Sequence, residues 1–183
     1  AFSANWDREA LAANGLNSFY GLSESGNRLN EIGYAFLDLD MNGTDELVLG
    51  YVSDGPEGNF DNIYTIVNGA PVMAIEGWER NLYWLGNSGV IYNRGSSGAA
   101  YTTYSASYFS TSESDYLLQK DFLYSDVDTD GNLFWQYFNH YVEPFSGVKT
   151  ASAYTTEARA AELMDMWGAD RTVINYTAFS QYK

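Results

Sequence analysis

An α+β fold is what this sequence predicts: an antiparallel β-meander of several hairpins, with an N-terminal and a C-terminal helix packed on it. Three observations carry that expectation. Apolar and polar residues alternate with a period of two through much of the chain after Tyr34. Clusters of Gly, Asn and Asp punctuate those runs where turns belong. The two flanks instead place apolar residues at helical spacing behind a capping residue.

The first helix is expected over residues 3–20. Ser3 can cap it, and Trp6, Ala10 and Ala13 share a face. Asn14-Gly15 interrupts it, and a second short turn carries Leu16, Phe19 and Tyr20. "GLSESGNRLN" reads as a polar loop. From Tyr34 the pattern is β, with Tyr34, Phe36 and Asp38 on one face and Ala35, Leu37 and Leu39 on the other. Residues 46–52 form the next strand, and "SDGPEGNFD" is a loop. In "NIYTIVNGAPVMAI", Asn68-Gly69 fits a type I′ turn between β-rich arms. "LYWLGNSGVIYN" reads as a second hairpin. "RGSSGA" is a flexible tip before "YTTYSASYF", and "DFLYSDVDTDGNLFWQYF" is a third hairpin. Beyond Pro144, "TTEARAAELMDMWG" is a helix capped by Thr156, with Glu157 at its positive end. Ala160, Leu163, Met164 and Trp167 form its buried stripe, and Gly168 ends it. "TVINYTAF" returns as a final strand. Neither a repeat nor a linker divides the chain, so residues 1–183 are expected to form a single domain.

Composition narrows the function classes. With 183 residues and 45% hydrophobic content, the chain can bury a core without staples. The absence of cysteine excludes thiol chemistry, zinc ribbons and disulfide frameworks. A formal charge of -15, with Lys120, Lys149 and Lys183 as the only lysines, opposes binding to a phosphate backbone or an anionic membrane. No nucleic-acid partner is expected. No apolar run approaches the ~20 residues of a membrane span. The opening AFSANWDREA has no basic-then-apolar leader, so any export signal is expected to have been removed or never present. The 16 Tyr and 17 Gly suit turn-rich β-structure, and also exported proteins that bind sugars or other proteins through exposed rings.

The stretch with most chemistry is "YAFLDLDMNGTDELVLGY". With Asp38 as position 1, Asp40 and Asn42 put side-chain oxygens at positions 3 and 5. The Thr44 carbonyl falls at position 7 and the Glu46 carboxylate at position 9. Alternating oxygens of this kind can turn inward around one hard cation, and Gly43 supplies the left-handed turn that lets the chain wrap. Calcium is the expected ion. An EF-hand is excluded, because its bidentate Glu at position 12 is here Leu49 and the flanks are strands. The strand–loop–strand form with its acid at position 9 is similar to the calcium loops of integrin-type propeller repeats. A solvated turn is the competing reading, since Asp, Asn and Gly are also turn residues.

Taken with "NIYTIVNGAPVMAI", the Gly-rich hairpins and the helix leading into "NYTAFSQY", this D-x-D-x-N-G-x-x-E-L loop resembles a family of exported domains from gut-dwelling Gram-positive bacteria. Many of that family are lipoproteins or parts of surface proteins. The resemblance implies a secreted or cell-surface location, a single α+β domain and no established catalytic residues.

A second acidic run, "SDVDTDGNL", repeats the 1-3-5 spacing with Asp126, Asp128 and Asp130. Its position 9 is Phe134, so a turn through Asp130-Gly131 is the stronger reading there. His140 is the lone histidine, and no G-x-S-x-G elbow accompanies it. Asp54, Glu57, Asp61, Glu76 and Glu79 offer carboxylates for glycoside hydrolysis, with a solvated acidic face as the alternative. "NRGSSGAA" lacks the Walker spacing and its Lys, which leaves a hairpin tip beside Arg94. Trp78, Tyr83, Trp84, Trp135, Tyr101, Tyr104 and Tyr108 can form an aromatic platform for a sugar, or serve as core and cross-strand pairs.

These readings converge on a non-catalytic exported or cell-surface binding module, stabilised by calcium at Asp38, Asp40, Asn42, Thr44 and Glu46, with a carbohydrate or protein partner. Two alternatives stay open. One is a glycan-active hydrolase with paired carboxylates in an aromatic cleft, and the other a structural domain of a larger surface protein.

Overall fold

The computed structural model describes residues 29–139 and 153–182. The helix expected over residues 3–20, most of the loop after it, and His140 lie outside the described residues. In chain order the strands are β1 (Ile32–Leu37), β2 (Glu46–Tyr51), β3 (Asn59–Phe60), β4 (Asn62–Val67), β5 (Ala70–Glu76) and β6 (Asn81–Leu85). They continue as β7 (Val90–Ser96), β8 (Thr102–Phe109), β9 (Leu117–Val127), β10 (Leu133–Asn139) and β11 (Ala153–Thr155). Helix α1 (Glu157–Ala169) and strand β12 (Thr177–Ala178) follow. Mostly antiparallel sheet with a late helix, this is an α+β arrangement.

The described residues divide into two compact units: 29–79 with 173–182, and 80–139 with 153–172. The first holds a sheet of order β12-β1-β2-β4-β5. Alternation decides which side chains it buries. Val48 and Ile63 are buried neighbours in register, and Glu46 lies two residues from Val48, on the same side of β2. Ile32 and Leu49 centre a second cluster that takes in Tyr34, Leu47, Tyr64 and Phe179. The β4–β5 hairpin is the type I′ turn expected: Asn68 and Gly69 both take positive φ, at 52° and 78°. Strand β12 keeps only Thr177 and Ala178 of the longer strand expected over "TVINYTAF". The reason is Tyr176, whose ring and hydroxyl lie where side chains on Gly50 and Gly55 would sit. Ile174 N–H donates to the Gly55 carbonyl, so the segment before β12 is spent on docking and not on a ladder.

The second unit holds six antiparallel strands of order β11-β10-β9-β8-β7-β6. Its core is Trp84, Val90, Tyr92, Ala106 and Leu123 from the sheet with Ala160, Leu163 and Trp167 from α1; Met164 packs against it. The stripe and the Thr156 cap are as the sequence predicts, and the Thr156 hydroxyl accepts from Arg159 N–H at 3.2 Å. The helix end differs slightly. It runs to Ala169, and Gly168 does not take a left-handed conformation. Asp170 sets the stop: its carboxylate accepts from Asn87 N–H and the Tyr92 hydroxyl, which ties the helix end to the β6–β7 turn. Three-residue β11 is too short to leave a pattern in the sequence; its register comes from β10.

Candidate metal centre

The β1–β2 connection is built by its neighbours. Leu37 pairs with Glu46, so residues 38–45 form a closed loop at one end of a well-registered ladder. Met41 and Gly43 take positive φ of 57° and 86°, and these two left-handed residues fold the loop back on itself. Gly43 is the left-handed glycine expected from the sequence. Met41 is not: a side chain in that region is strained, and its 88% exposure shows that packing does not hold it there.

Asp38 organises the loop. Its Oδ1 accepts from Asn42 N–H at 3.0 Å and its Oδ2 from Gly43 N–H at 3.0 Å. Asp40 Oδ1 accepts a longer bond from Asn42 N–H at 3.3 Å. The Asn42 side-chain oxygen accepts from Thr44 N–H at 2.7 Å. Glu46 is different in kind. It is 0% exposed, in a chain whose other loop acids face solvent or lie half-buried. One carboxylate oxygen accepts from Leu39 N–H at 2.9 Å, the other from the Thr65 hydroxyl at 3.0 Å. Burial pushes its carboxyl above the ordinary range, with the Asp40 and Asp38 charges adding to the effect and the two hydrogen bonds opposing it.

Carboxylate oxygens of Asp38, Asp40 and Glu46 all lie within 4.8 Å of one another. Among the described residues this is the one cluster of three or more His or acidic groups so disposed. Three like charges this close favour either a proton or a cation between them. Asn42 and Thr44 belong to the same loop, where the Asn42 side-chain oxygen is engaged by Thr44 N–H. Two contributors escaped the sequence reading, Thr65 and the Leu39 amide. Thr65 is 19 residues from Glu46 in sequence and meets it only through sheet pairing. Period-two alternation in "NIYTIV" does place Thr65 on the same side of β4 as Ile63, which was the available signal.

The second acidic run forms the turn expected. Asp128 accepts from Asp130 N–H and Asn132 N–H through Oδ1 and from the Asn132 side-chain amide through Oδ2. Those bonds, Asn132 foremost, hold its carboxyl below the usual range. Asp126 turns back onto Val127 N–H.

The remaining candidates scatter. Trp84 is buried in the helix-covered core, and Trp135 and Tyr104 pack against it. Trp78 and Tyr101 are exposed, while Tyr108 lies under the Lys120 ammonium. A ring cluster the sequence reading did not single out joins Phe122, Tyr124 and Phe138, on the side of β9 and β10 away from Leu123. Of the acids considered for hydrolysis, Asp61 stands out: burial and the neighbouring Asp54 charge push its carboxyl up to about 7. Arg94 lies over the Tyr104 ring.

The fold and loop together define an acidic strand–loop–strand site on an antiparallel sheet. Comparison with family models, with curated proteins and with solved structures finds no match. Among the described residues, no helix is long and apolar enough to cross a membrane.

Proposed function

We propose that this chain is a non-catalytic binding module of a secreted or cell-surface bacterial protein, with calcium held in the loop of residues 38–46. The convergence of Asp38, Asp40 and the buried Glu46 within 4.8 Å carries the reading. Calcium takes oxygens at ~2.3–2.6 Å, so two ligands on one ion lie no more than about 5 Å apart. Asn42 and the Thr44 carbonyl extend the set, and water supplies the rest. The ion acts as scaffold. Glu46 is clamped to β4 through Thr65, so a cation on Glu46 fixes the loop to the sheet. Export rests on the resemblance of the loop and hairpins described above. The partner is a carbohydrate or a protein.

The test is thermal melting in millimolar calcium against chelator, with titration calorimetry beside it. The melting temperature rises with calcium in the natural chain, and the rise disappears when Asp38 and Asp40 are both changed to Ala. A natural chain that melts identically in both solutions, with no heat of binding, ends the proposal.

One observation favours a second reading, a hydrolase acting on glycans. Asp61, whose carboxyl is pushed up to about 7 chiefly by burial, has the profile of a general acid. That reading requires release of reducing sugar from some member of a glycan panel, lost in Asp61→Asn with the fold retained. No turnover on the panel removes it.

A further inference from the structure

Among the described residues, two Asn-Gly steps stand in exposed turns of the first unit, Asn42-Gly43 and Asn68-Gly69. All four residues are exposed, and nothing lies within 4 Å of where a side chain on either glycine would project. This dipeptide has an intrinsic chemistry. The glycine amide nitrogen loses its proton and attacks the Asn side-chain carbonyl carbon. Ammonia leaves, and a five-membered succinimide remains. Water then opens that ring at one of its two carbonyls, giving aspartate or its main-chain isomer, isoaspartate. Glycine favours the step because it has no side chain to obstruct the approach.

The two steps differ in what holds the reacting groups. Gly43 N–H donates to Asp38 Oδ2 at 3.0 Å, so the proton that must leave sits against an anion. Asp40 and Glu46 place two more carboxylates close to Asp38, and an amide anion is disfavoured beside them. The Asn42 side chain is tied forward to Thr44 N–H at 2.7 Å, which restricts its rotation toward the Gly43 nitrogen. Asn68 and Gly69 form a two-residue turn closed by the Val67–Ala70 pair, and the residues on either side, Ile66, Val67, Ala70 and Pro71, carry no carboxylate.

We propose that Asn42-Gly43 is a deamidation site held in check by the Asp38 carboxylate, and that Asn68-Gly69, lacking that restraint, is the step of the two that converts first. Asp38 thereby has a role that does not depend on a metal: it keeps the backbone of its own loop intact. Isoaspartate at position 42 would add a methylene to the main chain between Asp40 and Glu46 and displace the oxygens they present.

The test follows amide-to-acid conversion by peptide mass spectrometry, with isoaspartate read by enzymatic methylation. The whole chain is incubated at mildly alkaline pH in chelator, folded and in concentrated urea. In urea the two steps convert at similar rates. Folded, the step at 42 lags that at 68 several-fold, and Asp38→Ala raises the rate at 42 while leaving that at 68 unchanged. Equal folded rates at the two positions, or a faster rate at 42, overturn the proposal without any variant being needed. In an Asp38→Ala chain that circular dichroism shows to be folded, an unaltered rate at 42 also overturns it. Should that variant unfold, Asp38→Asn, which keeps the shape and removes the anion, gives the same reading. Because chelator is present throughout, the outcome is independent of whether calcium binds.

Discussion

In the β1–β2 loop, Asp38 receives backbone N–H groups four and five residues ahead, and two further carboxylates close in beside it. In the β9–β10 turn, Asp128 receives N–H groups from Asp130 and Asn132, and Asp126 turns back on Val127. The 1-3-5 spacing of side-chain oxygens is the same in both stretches. What separates them is the ninth position. Glu46 is buried in the sheet, held by Leu39 N–H and Thr65, and offers its carboxylate to the loop from beneath. At the equivalent place in the second run stands Phe134, in edge-to-face contact with the Tyr154 ring. An acidic bend becomes a candidate cation site when the next strand supplies a fixed, desolvated acid; without one, the same residues satisfy a turn.

The strongest way to break that contrast is to remove the buried acid. Glu46→Ala leaves the part-buried Leu39 amide and the buried Thr65 hydroxyl without their acceptor, and is expected to cost ~3 kcal/mol in urea denaturation. Glu46→Gln keeps an acceptor, and is expected to cost ~1 kcal/mol while still eliminating the calcium response. If Glu46→Gln responds to calcium as the natural chain does, the buried carboxylate is not a ligand.

Next in size is the calcium effect itself. At a concentration about ten times the dissociation constant, binding adds ~1.4 kcal/mol, read as a higher melting temperature. The rise should survive Asp126→Ala combined with Asp128→Ala, since that turn takes no part. A transplant sharpens the comparison further. Phe134→Glu completes the five-position pattern of the second run in sequence, yet should confer no additional heat of calcium binding, because the Asp126 and Asp128 carboxylates are already engaged by backbone N–H groups of their own turn. The smallest effect belongs to Asp128→Ala alone, which should loosen an exposed turn, lower the melting point slightly and leave the calcium response intact.

Much of the fold was legible because its signals are local. Alternation located most of the strands from β1 to β10, but not β3, whose two residues Asn59 and Phe60 fall in the stretch read as a loop; Asn68-Gly69 fixed the β4–β5 turn, and Thr156 with the Ala160, Leu163, Met164 and Trp167 stripe located the late helix. The losses share a cause. Strand β11 has three residues and takes its register from β10. Residues 172–176 carry β-prone side chains, but Tyr176 spends its ring on a site cleared by Gly50 and Gly55. The aromatic candidates were sorted by strand parity and by what covers each face: Trp84 lies under α1, while Trp78 is exposed.

The sequence by itself determined the spacing of Asp38, Asp40, Asn42 and Glu46, the glycine that bends the loop, the strands on either side, and the α-helix that follows Thr156. Only the tertiary structure decided that Glu46 is buried and that Thr65 clasps it. Burial and hydrogen bonding across 19 residues depend on which strands become neighbours, and no local pattern fixes that. Spacing is a property of the covalent chain; desolvation is a property of what packs around it.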